Sequence, residues 1–414
     1  MQSRFHLAFD ALTLLITKAT FIGIRLLFLY LAATLLDRTE FGVLALAFTT
    51  AEVCRYIADW GTDNWSLRMF SHTNWIVAAN HMVWVMRLRL ISSVVAIILA
   101  WFSVGIIAPD LISLRHAGVV TTAVTSLWLN FGINWLQARS ALKPAALFTL
   151  VIGIACSIFL ILGKISQNSV EQQFVTLILS EILMVIGVLV FVWRQIGFYG
   201  PWRYESPISL NEWLKTVTPI AIATLVALAY SRIDQYFVGR TASPAALGDY
   251  TLAQRTAEPV LFLLAAFAST IYVRVSAFVH AYGVSSAASR YVWRWIGLIG
   301  MAAVTICLLV GIIFILFALP ALSQYKEIMP FLWIALLCTI FRCINLCLTA
   351  VIQALGAYNY ILRISIINAI VITFAVIVAG TLYGPMGAAV GVCAGEALNT
   401  CLQSVSLKNI LHKK

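Results

Sequence analysis

The chain has 414 residues, of which 62% are hydrophobic types and only 10% are charged. A soluble globular protein is about half apolar and about a quarter charged, and a disordered chain is more polar still. Both classes are excluded, which leaves a polytopic membrane protein. The net charge of +11, from 27 Lys and Arg against 16 Asp and Glu, would suggest nucleic acid in a soluble protein. Here no basic run interleaved with aromatics lies outside the apolar stretches. The excess is therefore assigned to Lys- and Arg-rich cytoplasmic loops, and no nucleic-acid partner is expected.

A spanning helix needs about 20 apolar residues. The chain reads as twelve spans: 11–36, 41–60, 88–108, 117–137, 145–163, 174–193, 214–238, 250–273, 296–319, 328–353, 361–383 and 385–406. The runs are continuously apolar and twice strand length, so helices are predicted rather than a barrel. Met1 to Asp10 is short and polar, and the first apolar run is too long for a signal peptide, so no cleavable signal is expected. With the N-terminus in the cytoplasm, sixteen Lys and Arg fall on the cytoplasmic side. Only Arg38, Arg115, Lys164, Arg240 and Lys326 fall on the other. That asymmetry places both termini in the cytoplasm.

The longest loop, near 194–213, holds Pro201 and Pro207 and lies at the midpoint of the chain. It divides the sequence into a six-helix lobe over 1–200, a cytoplasmic linker over 201–213 and a second six-helix lobe over 214–414. The halves repeat weakly. Gly42, Leu46, Ala47 and Glu52 match Gly248, Leu252, Ala253 and Glu258 at an offset of 206. Gln137-Ala138 matches Gln353-Ala354 at 216, and Glu181 matches Glu396 at 215. Six spans per half make this a parallel duplication.

Eleven ionisable residues fall at membrane depth: Lys18, Arg25, Glu52, Arg55, Glu181, Arg232, Asp234, Arg255, Glu258, Arg342 and Glu396. Exposed to lipid they would cost roughly 30 kcal/mol together, more than the stability of a fold. They must face a watery cavity or pair with each other. Glu52, Arg55 and Asp59 share one helical face, and Arg255 and Glu258 are three apart, so intrahelical pairing is open for both sets. Arg232 and Asp234 are two apart and point to different faces. Arg25 has no acid three or four residues away. Such a cavity suits anion handling: arginine grips phosphate through a bidentate fork, and a desolvated carboxylate can carry a proton or hold a cation.

Enzyme motifs are absent. There is no Walker A sequence, G-x-S-x-G, H-E-x-x-H or G-x-G-x-x-G, so no enzymatic activity is expected. All six histidines read as loop or tail residues, and all eight cysteines as packing residues inside spans. Neither a cofactor nor a metal site is predicted.

Ser231-Arg232-Ile233-Asp234-Gln235-Tyr236-Phe237-Val238, followed by Leu247-Gly248-Asp249-Tyr250-Thr251-Leu252-Ala253-Gln254-Arg255, resembles the seventh-to-eighth span signature of polysaccharide and O-antigen flippases. These belong to the multidrug/oligosaccharidyl-lipid/polysaccharide (MOP) exporter superfamily. Glu40-Phe41-Gly42-Val43-Leu44-Ala45-Leu46-Ala47 resembles its first-half counterpart, and Gln353-Ala354-Leu355-Gly356-Ala357 and Gly384-Pro385-Met386-Gly387 look like further family features.

The resemblance implies an all-α membrane fold of two six-helix lobes around a central cavity. It implies an undecaprenyl-diphosphate-linked oligosaccharide as substrate, flipped from the cytoplasmic to the periplasmic leaflet of the bacterial inner membrane by alternating access. Carried over by position, Arg25, Arg232 and Arg255, with Lys18 and Arg342, would receive the diphosphate and sugar. Glu52, Asp234 and Glu258 would couple transport to an H+ or Na+ gradient. The implied partners are the lipid-linked substrate, the coupling ion, membrane lipid and the glycan polymerase or assembly proteins. Two rival readings are a drug/cation antiporter of the same superfamily, which would want an acidic cavity, and a membrane-embedded glycan polymerase or ligase, which would want a large extracytoplasmic loop.

Overall fold

A computed structural model describes residues 16–17, 20, 23–70, 75–107, 113–139, 141–166, 169–196, 209–282, 286–322, 324–325, 327–355 and 357–412. Lys18 and most of the predicted linker 201–213 lie outside the described residues. Within them, all regular structure is helical. The helices are α1 (Gly23–Leu35), α2 (Arg38–Asp59), α3 (Thr62–Phe70), α4 (Trp75–Ile107), α5 (Ser113–Ala138), α6 (Leu142–Ile165), α7 (Val170–Ile196), α8 (Leu210–Thr241), α9 (Pro244–Tyr282), α10 (Ser286–Ile313), α11 (Ile328–Ala354) and α12 (Tyr358–His412). A π-helical turn at Phe314–Ala318 and a 3-10 turn at Leu319–Leu322 extend α10.

The protein is a multi-pass membrane protein, and its residues explain each element. The large apolar side chains on the outer helix faces have no protein cover: Phe102 is 65% exposed, Phe374 69% and Ile106 79%. In water that would be a liability; in lipid it is the expected surface. α12 is 55 residues long, twice a span, and it is broken at Gly384 (φ 64, ψ −150) ahead of Pro385. Glycine alone takes that conformation without strain, and proline cannot continue the hydrogen-bond ladder. The two limbs reproduce the predicted spans 361–383 and 385–406. They pack back to back through Gly387, Gly391 and Gly395, which meet Ala379, Ala375 and Ile372. A Cβ on Gly391 would lie 2.8 Å from the Ala375 carbonyl oxygen, so the limbs approach backbone to backbone. Gly391→Val is expected to lower stability by about 1–3 kcal/mol, measured as a drop in detergent unfolding temperature; an unchanged temperature would show that the limbs can part freely.

The chain forms two compact units. One comprises Met1–Leu35 with Val43–Leu225, the other Leu36–Gly42 with Val226–Lys414. The first half of the chain supplies six spans (α1, α2 and α4–α7) and the second half six (α8–α11 and the two limbs of α12). The unit boundary falls within α8, downstream of the predicted linker. The reason is local: the N-terminal half of α8 packs on the first unit, with Trp213 against Trp84 at 5.5 Å between ring centroids and the Trp60 indole N–H donating to Thr218 at 3.3 Å. In the second unit, the repeat-related glycines Gly42 and Gly248 pack on each other's segments, where a Gly42 Cβ would collide with the Pro244 carbonyl oxygen.

Two expectations are corrected. The third span does not begin at residue 88: α4 starts at Trp75, because Trp84 and His81 pack edge-on against Trp65 and hold the polar stretch helical. Arg89, one of the sixteen cations counted on the cytoplasmic side, is thereby fully buried. His81 and His116 lie within α4 and α5 rather than in loops.

Candidate functional site

In the first unit, α1, α5 and α7 converge on one carboxylate. Glu181, midway along α7, is 1% exposed. Arg25 of α1 donates to it through Nε at 2.5 Å and Nη2 at 3.0 Å. The same Nη2 donates to the Thr122 carbonyl and to Ser126 Oγ of α5, both at 2.9 Å, and Thr125 donates to Glu181 Oε2 at 2.5 Å. The bidentate fork and the hydroxyls satisfy a charge pair that lipid could not. One turn along α1, Phe28 closes an aromatic cluster with Phe48 and Phe174.

Further along this unit, α2 ends in a left-handed turn at Trp60 (φ 46) and Gly61 (φ 72), which leads into α3, packed on α4 and α5. Arg89 bonds Asp59 of α2 at 2.5 Å and Asp63 of α3. Arg55 lies 3.8 Å from Asp63 and over the Tyr56 ring, and Asn130 donates to Asp63 at 3.2 Å. Glu52, half-buried one turn back on α2, acts on Arg55 through its field. The Glu52–Arg55 pairing left open above is thus exceeded by an Arg55–Asp63–Arg89–Asp59 network spanning three helices.

Burial, with Asp59 beside it, pushes the Asp63 carboxyl up to about 6 despite Arg89 and Arg55. The folded state therefore holds this proton to a higher pH than the unfolded chain, whose carboxylate titrates near ~3.9. Stability from this group is full below ~4 and is lost as pH rises through about 6. Asp63→Asn is expected to flatten that part of a detergent unfolding-temperature profile; an unchanged profile would contradict the assignment.

In the second unit, α8 and α9 build the densest cluster. Residues 250, 254 and 258 share one face of α9, and both Arg232 and Asp234 reach it. Asp234 is fully buried and accepts from Tyr250 Oη and Gln254 Nε2, each at 2.5 Å. Its other oxygen accepts the Gln235 backbone N–H at 2.9 Å, while the Gln235 amide donates to Gln254 at 2.6 Å. Glu258 is gripped by two arginines: Arg232 at 2.9 Å from α8 and Arg255 at 2.8 Å from its own helix. On α11, Arg342 bonds Glu396 of α12 at 3.1 Å. Asn345 adds bonds to the Glu396 carboxylate and carbonyl at 2.9 and 3.1 Å. A cavity of about 20 Å³, room for one water, is lined by Tyr250, Gln254, Glu258, Cys338, Thr339 and Arg342.

Of the predicted site residues, then, Arg232, Asp234, Arg255 and Glu258 are brought together, with Arg342 on the same cavity. Arg25 and Glu52 sit in separate clusters of the first unit, and Lys18 lies outside the described residues. Sequence reading missed Asp63, Arg89, Tyr250, Gln254 and Asn345. Repeat alignment exposes one regularity: Glu181 and Glu396 correspond, yet their arginines come from different spans. At the offset of 216, Arg342 aligns with Ser126, the residue that bonds Arg25.

No protein-family model matches the sequence, and no curated protein matches it. Solved structures do. A multidrug-resistance MATE-family transporter of the MOP superfamily in its inward-facing conformation aligns with a TM-score of 0.73 and 13% identity, covering 98% of this chain and 99% of that one. The chain has the MOP transporter fold. The outward-facing conformation of a multidrug-resistance MATE-family transporter aligns at 0.72 with 14% identity, over 98% of this chain and 95% of that one. The lipid II flippase MurJ, in an inward closed conformation, aligns at 0.63 with 14% identity, over 95% of this chain and 87% of that one. The two transporter alignments run through both six-span halves of the chain.

Proposed function

We propose that this MOP-fold chain is a flippase. It carries an undecaprenyl-diphosphate-linked O-antigen or other surface-polysaccharide repeat unit from the cytoplasmic to the periplasmic leaflet of the bacterial inner membrane, by alternating access and with both termini cytoplasmic. The observation that carries the reading is Glu258 held by both Arg232 and Arg255: two guanidinium groups converge on one carboxylate at membrane depth. That suits a diphosphate, whose oxygens match the arginine fork, and it suits an organic cation badly. Arg25, Arg342 and Lys18 are the further substrate contacts in this reading. The neighbour that is a lipid II flippase supports a lipid-linked cargo.

Asp234 is the proposed coupling group. No ion pair to it is formed among the described residues; its partners are the neutral Tyr250, Gln254 and a backbone N–H. Glu258 and Glu52, which lie beside arginines, have less freedom to exchange a proton or Na+. Asp234→Asn is expected to abolish acceleration of flipping by an H+ or Na+ gradient while leaving slow downhill flipping. Full gradient acceleration in that variant would move coupling elsewhere.

The cellular test is deletion of the chain. The expected result is loss of the surface glycan with accumulation of the lipid-linked repeat unit on the cytoplasmic leaflet. Unchanged glycan together with sensitivity to cationic dyes would favour the antiporter.

A further inference from the structure

At one end of the first unit, the C-terminus of α5, the N-terminus of α6 and the C-terminus of α7 border an open pocket of about 480 Å³. Its polar wall is cationic. Lys143 and Arg194 line it with Gln195, above an apolar floor of Leu136, Pro144 and Phe191. Arg139, in the α5–α6 turn, stands next to it, its guanidinium 5.3 Å from the Trp135 ring centre. The Trp135 indole N–H donates to the Gln195 carbonyl oxygen at 3.1 Å, so what Gln195 can offer a ligand is its amide N–H.

The first turn of α6 adds to this field. It has no acidic residue, and its N-cap, Ala141, provides no side-chain cap. The positive end of the helix dipole there favours an anion, yet the sequence places Lys143 in this turn, against the usual dipole preference. Lys143 and Arg194 are both exposed. A cationic rim, an uncapped helix start and an amide donor therefore face one space with no acid among its lining residues.

The surface leading away from the pocket is apolar and uncovered. On α6, Leu147 is 64% exposed, and Val151 and Ile154 continue the same stripe; on α7, Val190 and Ile186 do so. Trp193, exposed beside Arg194, is the residue type that sits at a membrane–water boundary. An anion head above two acyl-accepting stripes is the shape of a phospholipid.

We infer that this pocket binds the phosphate headgroup of an anionic membrane phospholipid, its acyl chains lying along the exposed faces of α6 and α7. The site is separate from the arginine–carboxylate clusters and stands whether or not the chain is a flippase. Basic pockets between spanning helices recognise such headgroups through this chemistry.

Native mass spectrometry of the full chain in detergent tests it, with cardiolipin, phosphatidylglycerol, phosphatidylethanolamine and polyprenyl diphosphate as probes. The expected result is retention of the two anionic phospholipids over phosphatidylethanolamine. The Lys143→Gln/Arg194→Gln variant should bind them about thirtyfold more weakly, and Lys143→Arg/Arg194→Lys should keep them. Equal retention of phosphatidylethanolamine, or unchanged binding by the double Gln variant, would overturn the assignment. Displacement by millimolar inorganic phosphate would mark a free-anion site, and preference for polyprenyl diphosphate a substrate site; either result would also overturn it.

Discussion

Arg89→Ala is expected to be among the most destabilising single substitutions in the chain. Arg89 is fully buried and bonds both Asp59 and Asp63. Removing it leaves the buried Asp59 and the half-buried Asp63 with Arg55 near them, at 3.8 Å from Asp63 alone. Breaking a buried ion pair by deleting one partner costs about 3–5 kcal/mol. Detergent unfolding should report the loss as a large fall in midpoint temperature. The fall should be smaller at pH 5 than at pH 8, because protonation of Asp63 relieves the repulsion in the variant. A triple variant, Arg89→Met with Asp59→Asn and Asp63→Asn, should recover much of the stability, since neutral groups need no counter-charge. A single variant as stable as the wild type would show that the network is solvated.

Arg255→Ala is expected to abolish flipping while leaving the fold intact. The contrast with Arg25 is instructive. Deleting Arg25 strands Glu181, which is 1% exposed, so a loss of transport there would be confounded with misfolding. Deleting Arg255 leaves Glu258 still bonded to Arg232 at 2.9 Å, so the carboxylate keeps a counter-charge. The variant should insert and unfold like the wild type, and only the second guanidinium group is gone. Arg255→Lys should restore transport in part, because an ammonium supplies charge without the planar fork. Wild-type transport by Arg255→Ala would remove this residue from the substrate path.

The spanning helices were legible because lipid imposes a strong rule: continuous apolar runs of span length. The break between the last two spans fell where Gly384 and Pro385 stand, since backbone conformation and a missing donor act locally. The clusters were legible only as a list of misplaced charges. Arg25 and Glu181 are 156 residues apart, and no helical period links them. Arg89 was lost for another reason. Hydropathy registers a cation in a polar stretch as solvated and cannot see Trp65, His81 and Trp84 packing that stretch into a helix. Arg232 and Asp234 were read as facing apart, yet both meet α9: Asp234 directly, and Arg232 because its long side chain can reach round to Glu258.

The most direct test of the central claim is flipping by the purified chain in proteoliposomes. A diphosphate-prenol-linked oligosaccharide is supplied on one side, and its exposure to a sugar-modifying enzyme on the other is followed, with and without a proton or sodium gradient. The account predicts protein-dependent exposure that the gradient accelerates and that Arg255→Ala removes. No exposure of the sugar, under conditions in which the same vesicles move a cationic dye, would contradict it and make the chain a drug antiporter.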